Sequence, residues 1–288
     1  MYFLYGTTPN MQTIMVLVRS HLPQGQPLSE TLVARAYRDY LTRLQPQVPA
    51  SPTDGTQLIR DDVQASRLAE LFGLPKETPP SQRQQETCSD SIDAHKASFF
   101  EAGLERIAQY DPELSMVFQM AVTSIFSSSA SATPGSMTVR AALGAVWIYP
   151  LATWSTEDLV EAYIHELTHT LVMLDEQRFR HYPNYDQLDH EDNLVWSAIR
   201  SDRRSLFASA HSILVANELL QVRERHHGHR RDFQLHPPSR EIRENTLRAL
   251  DSALGLSNIG DLASPRLLDI LEMAGRQLSA IQPKTLVS

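Results

Sequence analysis

Apolar residues recur every three or four positions along most of the chain, which is the spacing of amphipathic helices. Ser29 is a suitable N-cap for a first long helix, whose inward stripe is predicted at Leu32, Ala36, Tyr40 and Leu44. A second helix is predicted to end at Gly73 and to bury Val63, Leu68, Leu71 and Phe72. A longer helical stretch is predicted from about Phe99 to Phe126. The pattern therefore predicts a mainly α-helical fold.

One short run is more typical of a strand. Residues 145–150, AVWIYP, are rich in aromatic and β-branched side chains, end at Pro150 and are followed by the longest apolar helix pattern. We therefore expect a short β element beside that helix. Its Trp147 and Tyr149 either line a substrate groove or pack in the core. Residues 75–91 are polar and proline-rich, which predicts an exposed loop that contains Cys88.

The composition narrows the class of protein. With 42% hydrophobic residues in a chain of 288, a sizeable core can be buried. The net charge of −8 gives no broad positive field for a phosphate backbone, so we expect no nucleic-acid partner. A single cysteine, and a start MYFLYGTTPN without a basic n-region, favour a cytoplasmic protein. The longest charge-free stretch contains SSSASATPGS, so we expect no membrane span.

The most informative motif is H-E-L-T-H, formed by His165, Glu166 and His169. Ser155 and Asp158 resemble a capping box, and no glycine or proline follows before Pro183, so the motif is predicted to lie within a helix. Imidazoles four residues apart then share one helix face and can bind one divalent ion. Chance predicts only about 0.02 such motifs in a chain of this composition. A metal-free pair of core histidines is the alternative.

The third ligand of such a site decides its chemistry. Asp175 lies at the position that metzincins use, but Val172 stands where that pattern has the glycine that turns the chain. Glu218 in VANELL is a ligand of the kind that gluzincins take from a later helix. His211 is the third candidate, and we favour it.

Two arginines strengthen the case for His211. On a helical wheel Arg200, Arg204 and His211 share one stripe. If Ser201 or Asp202 is the N-cap, the stripe contains only Arg204 and His211. The alternative is that the arginines lie on the surface and that His211 is a core histidine.

The segment R-S-D-R-R-S-L-F-A-S-A-H, residues 200–211, resembles the R-x-D-x-R-x-L-x-x-x-x-H stretch that follows the HExxH helix in a family of 2-oxoglutarate-dependent peptide hydroxylases. These enzymes modify ribosomally made peptide natural products. The resemblance covers residues 159–220. It implies Fe(II) on His165, His169 and His211, and a 2-oxoglutarate whose distal carboxylate pairs with Arg200 or Arg204. The predicted function is thus hydroxylation of an amino-acid side chain, with a peptide or amino-acid substrate.

Physical chemistry gives this prediction separate but weaker support. Three histidines leave coordination sites for a 2-oxo acid and O₂, and an arginine fork binds a carboxylate bidentately. The alternative is a zinc metallopeptidase, in which Glu166 is the general base and no arginine pair is required. A metal-free binding protein derived from such an enzyme is a third possibility.

The predicted organisation is an N-terminal helical lobe over residues 1–74, for peptide binding, and a metal-binding catalytic domain over residues 93–288. Two further segments carry histidines. Residues 223–233, RERHHGHRRDF, are predicted to be a solvated helix end with a glycine turn, the alternatives being an acidic-peptide or second metal site. Residues 181–192, HYPNYDQLDHED, are predicted to be a surface loop, with a lid over the site as the alternative.

Overall fold

Helices make up most of the computed structural model, which describes residues 1–23, 25, 27–49, 51, 54–74, 92–128, 134–200 and 202–281. The helices are α1 (Tyr2–Tyr5), α2 (Thr7–Val18), α3 (Glu30–Leu44), α4 (Asp62–Leu71), α5 (Ala94–Tyr110), α6 (Pro112–Ala121), α7 (Thr156–Phe179), α8 (Leu206–Val222), α9 (Ser239–Leu254), α10 (Ile259–Leu262) and α11 (Pro265–Ala280). The strands are β1 (Gln57–Leu58), β2 (Ser124–Phe126), β3 (Gly135–Met137), β4 (Ala145–Tyr149), β5 (Val195–Trp196) and β6 (Arg203–Arg204). The prediction of a mainly α fold is confirmed. The loop predicted over residues 75–91, with Cys88, lies outside the described residues.

The first helices begin and end as predicted, but their buried faces differ. Ser29 accepts a hydrogen bond from the Leu32 amide at the start of α3, and Gly73 follows α4 with a positive φ of 65°. On α3 the predicted Ala36 is buried, but the other buried side chains are Val33, Ala34, Tyr37 and Leu41 rather than Leu32, Tyr40 and Leu44. On α4, Val63 is 68% exposed, so its predicted burial is wrong.

Residues 99–126 do not form one helix. Asp111 ends α5, caps α6 through the amides of Glu113 and Leu114, and is followed by Pro112 at the first helical position. Val122 then leaves the helix in an extended conformation and the chain enters β2. The prediction of a single stretch is therefore wrong at this turn.

The β element is a four-stranded sheet in the order β1-β2-β4-β3. Strands β1, β2 and β4 are parallel, whereas β3 is antiparallel to β4 and forms an edge, with Ser136 opposite Ile148. The sequence predicted β4 but not the three strands that pair with it. Because β3 also packs against α7, its residues lie beside the HExxH motif.

Helix α7 is the central element of the fold. The predicted capping box is present, since Ser155 accepts from the Asp158 amide and Asp158 accepts from the Ser155 amide. The helix is buried on nearly all sides and packs against α2, α5, α6 and α8. The HExxH motif in the middle of α7 is thus held from several directions.

The N-terminal segment shares its core with the rest of the described chain. One hydrophobic cluster contains Ile14 and Tyr37 together with Leu171 and Leu214. Strand β1 also joins the sheet that β2 and β4 form. The predicted lobe over 1–74 and the predicted domain over 93–288 therefore have a common core. None of the described helices is long and apolar enough to cross a membrane.

Candidate metal centre

The HExxH side chains face a cavity of about 520 Å³. His165, Glu166 and His169 line it together with the edge strand β3 and with Arg200 and Arg204. The cavity is lined further by Leu235, His236 and Pro237, which precede α9. Segments far apart in the sequence therefore meet over the middle of α7.

Four imidazoles form a row at this site. Ring contacts join His236 to His165, His165 to His169, and His169 to His211, with centroid separations of 5.2, 4.9 and 5.1 Å. His236 lines the cavity at one end of the row, and His211 is buried at the other. Among the described residues, no three His, Cys, Asp or Glu side chains are arranged as a ready ligand set for a metal ion.

The two outer contacts have the geometry of head-on hydrogen bonds. The Nδ1 of His165 lies 2.9 Å from the Nε2 of His236, and the Nδ1 atoms of His169 and His211 are also 2.9 Å apart. A ring nitrogen lies about 1.2 Å from its ring centre, so a head-on N–H···N bond places the two centres about 5.2 Å apart. Both outer contacts match this value.

The inner contact, between His165 and His169, fits a shared ion. Two imidazoles bound to one ion at about 2.1 Å, at an angle of roughly 90–109°, have centres about 4.6–5.3 Å apart. Their observed separation is 4.9 Å, with the ring planes inclined by 63°. When each ring uses its Nδ1 for the outer contact, its Nε2 is left for the ion.

Burial keeps these imidazoles neutral. It lowers the pKa of His169 to about 4. It also lowers the pKa values of His165 and His211 well below the usual range, and the neighbouring His169 adds to both of these decreases. A neutral imidazole is the form that binds metal. The Nε2 of His211 is buried and has no hydrogen-bond partner among the described residues. The donor set therefore suits a divalent transition metal.

Glu166 lies beside His165 and is fully buried. Its Oε1 accepts a 2.6 Å hydrogen bond from the Ser136 hydroxyl of β3, while its Oε2 is buried without a partner among the described residues. Burial raises the pKa of Glu166 to about 7, although the bond from Ser136 opposes this shift. Such a carboxyl group can both accept and return a proton near neutral pH.

Arg200 and Arg204 both line the cavity, but not from a helix as predicted. Ser205 caps α8, which begins at Leu206, so Arg204 lies in β6 and Arg200 in the preceding turn. The helical stripe joining them to His211 is therefore wrong. Among the described residues, the Arg200 side chain has no hydrogen-bond or ion-pair partner, and Arg204 has only Asp202 at 3.9 Å. Both arginines are exposed to solvent, as the surface alternative predicted, while they also line the cavity.

The other two proposed third ligands are bound elsewhere. Asp175 accepts from Arg266 at 2.7 and 3.1 Å and pairs with the His181 imidazole at 2.8 Å. Glu218 accepts from the amides of Phe3 and Leu4. None of the three candidates Asp175, Glu218 and His211 lines the cavity. His211 is the one proposed third ligand that contacts an HExxH imidazole.

Sequence reasoning missed His236 and the buried ion pair behind it. The Nδ1 of His236 lies 3.0 Å from Oε2 of Glu161, which pairs bidentately with Arg223 at 2.5 and 2.8 Å. Burial alone would raise the pKa of Glu161, but hydrogen bonds from Arg223, His227 and His236 hold it well below the usual range. Glu161 precedes His165 by one helical turn, which is the available signal, since a buried carboxylate needs a partner.

The segment over 223–233 is consequently only partly as predicted. It contains the predicted glycine turn, with φ 76° at Gly228, but it begins with a five-residue π-helical turn in which Arg223 is completely buried. That arginine is not part of a solvated helix end.

Two other predicted features lie away from the cavity. In the loop over 181–192, His181 is buried against Asp175, and Tyr185 and Leu188 line a separate cavity of about 460 Å³. Trp147 packs in a second hydrophobic cluster with Phe72 and Phe126, and Tyr149 packs against that cluster. Core packing is therefore the correct alternative for both aromatic residues.

No protein-family model matches this sequence, and a search of curated proteins also found no match.

Proposed function

We propose that the chain is a metal-dependent enzyme, an Fe(II)- and 2-oxoglutarate-dependent oxygenase that hydroxylates an amino-acid side chain in a peptide. The observation that supports this proposal best is the cavity itself, in which His165 and His169 face Arg200 and Arg204. A metal site beside largely uncompensated guanidinium groups favours a small anionic cosubstrate that binds the metal at one end and a cation at the other.

In this proposal His165 and His169 hold the metal, and His211 completes the ligand set. With the hydrogen bond between the two Nδ1 atoms in place, only one of His169 and His211 can offer an Nε2 lone pair as a neutral ring. His211 therefore becomes a ligand when its ring turns about χ2 and releases His169. Bound Fe(II) would supply activation of O₂ for insertion of oxygen into a C–H bond.

Arg200 and Arg204 hold the distal carboxylate of 2-oxoglutarate. A planar guanidinium donates two parallel hydrogen bonds to a carboxylate, which fixes the orientation of the bound acid as well as its affinity. Residues of β3 line the same cavity, and we assign that part of it to the peptide.

The second candidate function is that of a zinc metallopeptidase. It is favoured by Glu166, which lies in the cavity with one oxygen bound by Ser136 and a pKa raised to about 7. A carboxylate in that state is suited to take a proton from an attacking water molecule and return it to the leaving amine. In the oxygenase Glu166 has no such role.

The two functions are separated by anaerobic addition of Fe(II) and 2-oxoglutarate to the metal-free protein. The oxygenase gives the visible charge-transfer band of a chelated complex and, in air, converts 2-oxoglutarate to succinate. Absence of the band, with cleavage of a peptide library by the zinc-loaded protein, would overturn the oxygenase proposal. Glu166→Gln should then abolish cleavage by roughly 100-fold or more.

Arg200→Ala tests the cosubstrate site. We expect the dissociation constant for 2-oxoglutarate to rise about 10- to 100-fold, because a charge-assisted bidentate contact is lost. Metal affinity should be unchanged. Arg240→Ala is the matched control, since Arg240 is exposed on α9 and pairs with Glu244.

A further inference from the structure

Behind the HExxH pair lies a continuous chain of hydrogen-bonded groups that starts at Arg223. The guanidinium of Arg223 binds both oxygens of Glu161, and it also donates to the Pro237 carbonyl at 2.8 Å and the Ser239 hydroxyl at 3.1 Å. The arginine thus fixes the carboxylate and the segment that carries His236 at the same time. Arg223, Glu161, His236 and Ser239 are buried, and Pro237 is partly exposed.

The charge of Glu161 decides which nitrogen of His236 carries the proton. A carboxylate held by an arginine accepts hydrogen bonds, so the Nδ1 of His236, 3.0 Å from Oε2, is the donor. A neutral His236 protonated at Nδ1 has a lone pair at Nε2. That lone pair faces the Nδ1 of His165 at 2.9 Å.

The same reasoning fixes the next ring. When His236 is neutral its Nε2 accepts, so the Nδ1 of His165 is the protonated nitrogen and the Nε2 of His165 keeps its lone pair. Metal-binding histidines commonly donate their other ring N–H to such a partner, and the partner raises affinity for the ion. Here that partner is a second imidazole rather than a carboxylate.

We propose that His236 is a positioning residue that holds His165 in the Nδ1–H tautomer, with Glu161 and Arg223 setting the tautomer of His236 in turn. This inference rests on the proposed metal site at His165 and His169. Its role is to present the Nε2 of His165 to the ion before the ion binds.

Metal affinity tests the positioning role, with Co(II) as a spectroscopic probe. His236→Phe should weaken binding about 10- to 100-fold. His236→Gln should stay within a few-fold of wild type, because its amide can donate to Glu161 and its carbonyl can accept from His165. His226→Phe is the matched control from the segment over 223–233, since His226 stacks on Tyr110 outside the cavity. His169→Ala defines the loss of a ligand.

Two outcomes overturn the proposal. In the first, both His236 variants lose Co(II) as completely as His169→Ala, which would make His236 a ligand. In the second, neither His236 variant changes the affinity for Co(II).

Nitrogen-15 NMR of the histidine rings in the metal-free protein gives a readout that does not depend on metal binding. His165 should be protonated at Nδ1 in the wild type and in His236→Gln, and at Nε2 in His236→Phe. The same His165 tautomer in all three proteins refutes the positioning role. If the tautomer changes as expected but the wild-type protein binds no Co(II), only the proposed function is refuted.

Discussion

Asp175 lies on the HExxH helix but is bound by Arg266 and His181 rather than facing the cavity. We expect Asp175→Asn to lower the free energy of unfolding by about 2–4 kcal/mol, because a buried carboxylate is removed from two cationic or polar partners. Metal binding at neutral pH should be unchanged. Urea unfolding and metal titration measure these two quantities, and Asp189→Asn in an exposed loop is the control.

The same variant predicts a pH dependence. Burial alone would raise the pKa of Asp175, but hydrogen bonds from His181 and Arg266 hold it below the usual range. The unfolded state therefore binds a proton first as the pH falls, and the stability that Asp175 contributes is present at neutral pH and lost below about pH 4. The difference between wild type and Asp175→Asn should narrow over that range. A constant difference would show that the carboxylate charge is not what stabilises the fold.

At the scale of single residues, the sequence alone predicts part of the candidate metal site. Two histidines four residues apart on a helix face are brought together by local geometry, so spacing predicts His165 and His169. His236 approaches His165 only because Arg223 fixes the chain at Pro237 and Ser239. Such long-range contacts produce no periodic pattern of residues in the sequence. Glu161 is an intermediate case. The sequence shows that it lies one helical turn before His165, but it does not show which residues bind its carboxylate.

At the scale of elements, one close approach to α7 is made by a glycine. A Cβ atom on Gly103 of α5 would lie 2.7 Å from Leu159 and 2.8 Å from Tyr163. Alanine favours a helix over glycine by about 1 kcal/mol, but overpacking costs typically 1–3 kcal/mol. We expect Gly103→Ala to be destabilising by up to about 2 kcal/mol and to weaken metal binding by displacing α7.

Gly275→Ala in α11 is the matched control, because its Cβ would meet Leu250 at an ordinary 3.6 Å. That variant should be neutral or stabilising by up to about 1 kcal/mol. Thermal unfolding of both variants checks the comparison. A stabilised Gly103→Ala protein would show that α5 and α7 can separate without loss.

The elements also show where periodicity fails as evidence. The wheel that joined Arg200 and Arg204 to His211 assumed a helix, yet Ser205 caps α8 and the arginines precede it. They still reach the cavity, because β5 and β6 form an antiparallel pair that places Arg204 opposite Val195. Similarly, the short strands β1 and β2 have too few residues to show an alternating pattern. Their position is determined by pairing with β4.

At the scale of the molecule, the metal site and the core are one structure. Composition and helical spacing predicted a mainly α fold, but a division near residue 74 could not reveal that Ile14 and Tyr37 share a cluster with Leu171 and Leu214. Packing between distant segments is decided by side-chain shape, which hydrophobic spacing does not record. Helix α7 packs against α2 and α8, the helices that carry Ile14 and Leu214.

The burial of α7 on nearly all sides has a consequence for how the protein opens. Backbone amides in such a helix exchange with deuterium only through the largest cooperative unfolding reaction. We expect the amides of residues 165–169 to be among the slowest to exchange, and added metal to slow them by the ratio of its free concentration to its dissociation constant. Fast exchange there, beside slow exchange in α8, would contradict this expectation. The amides of the motif then report global unfolding of the chain rather than local opening at the site.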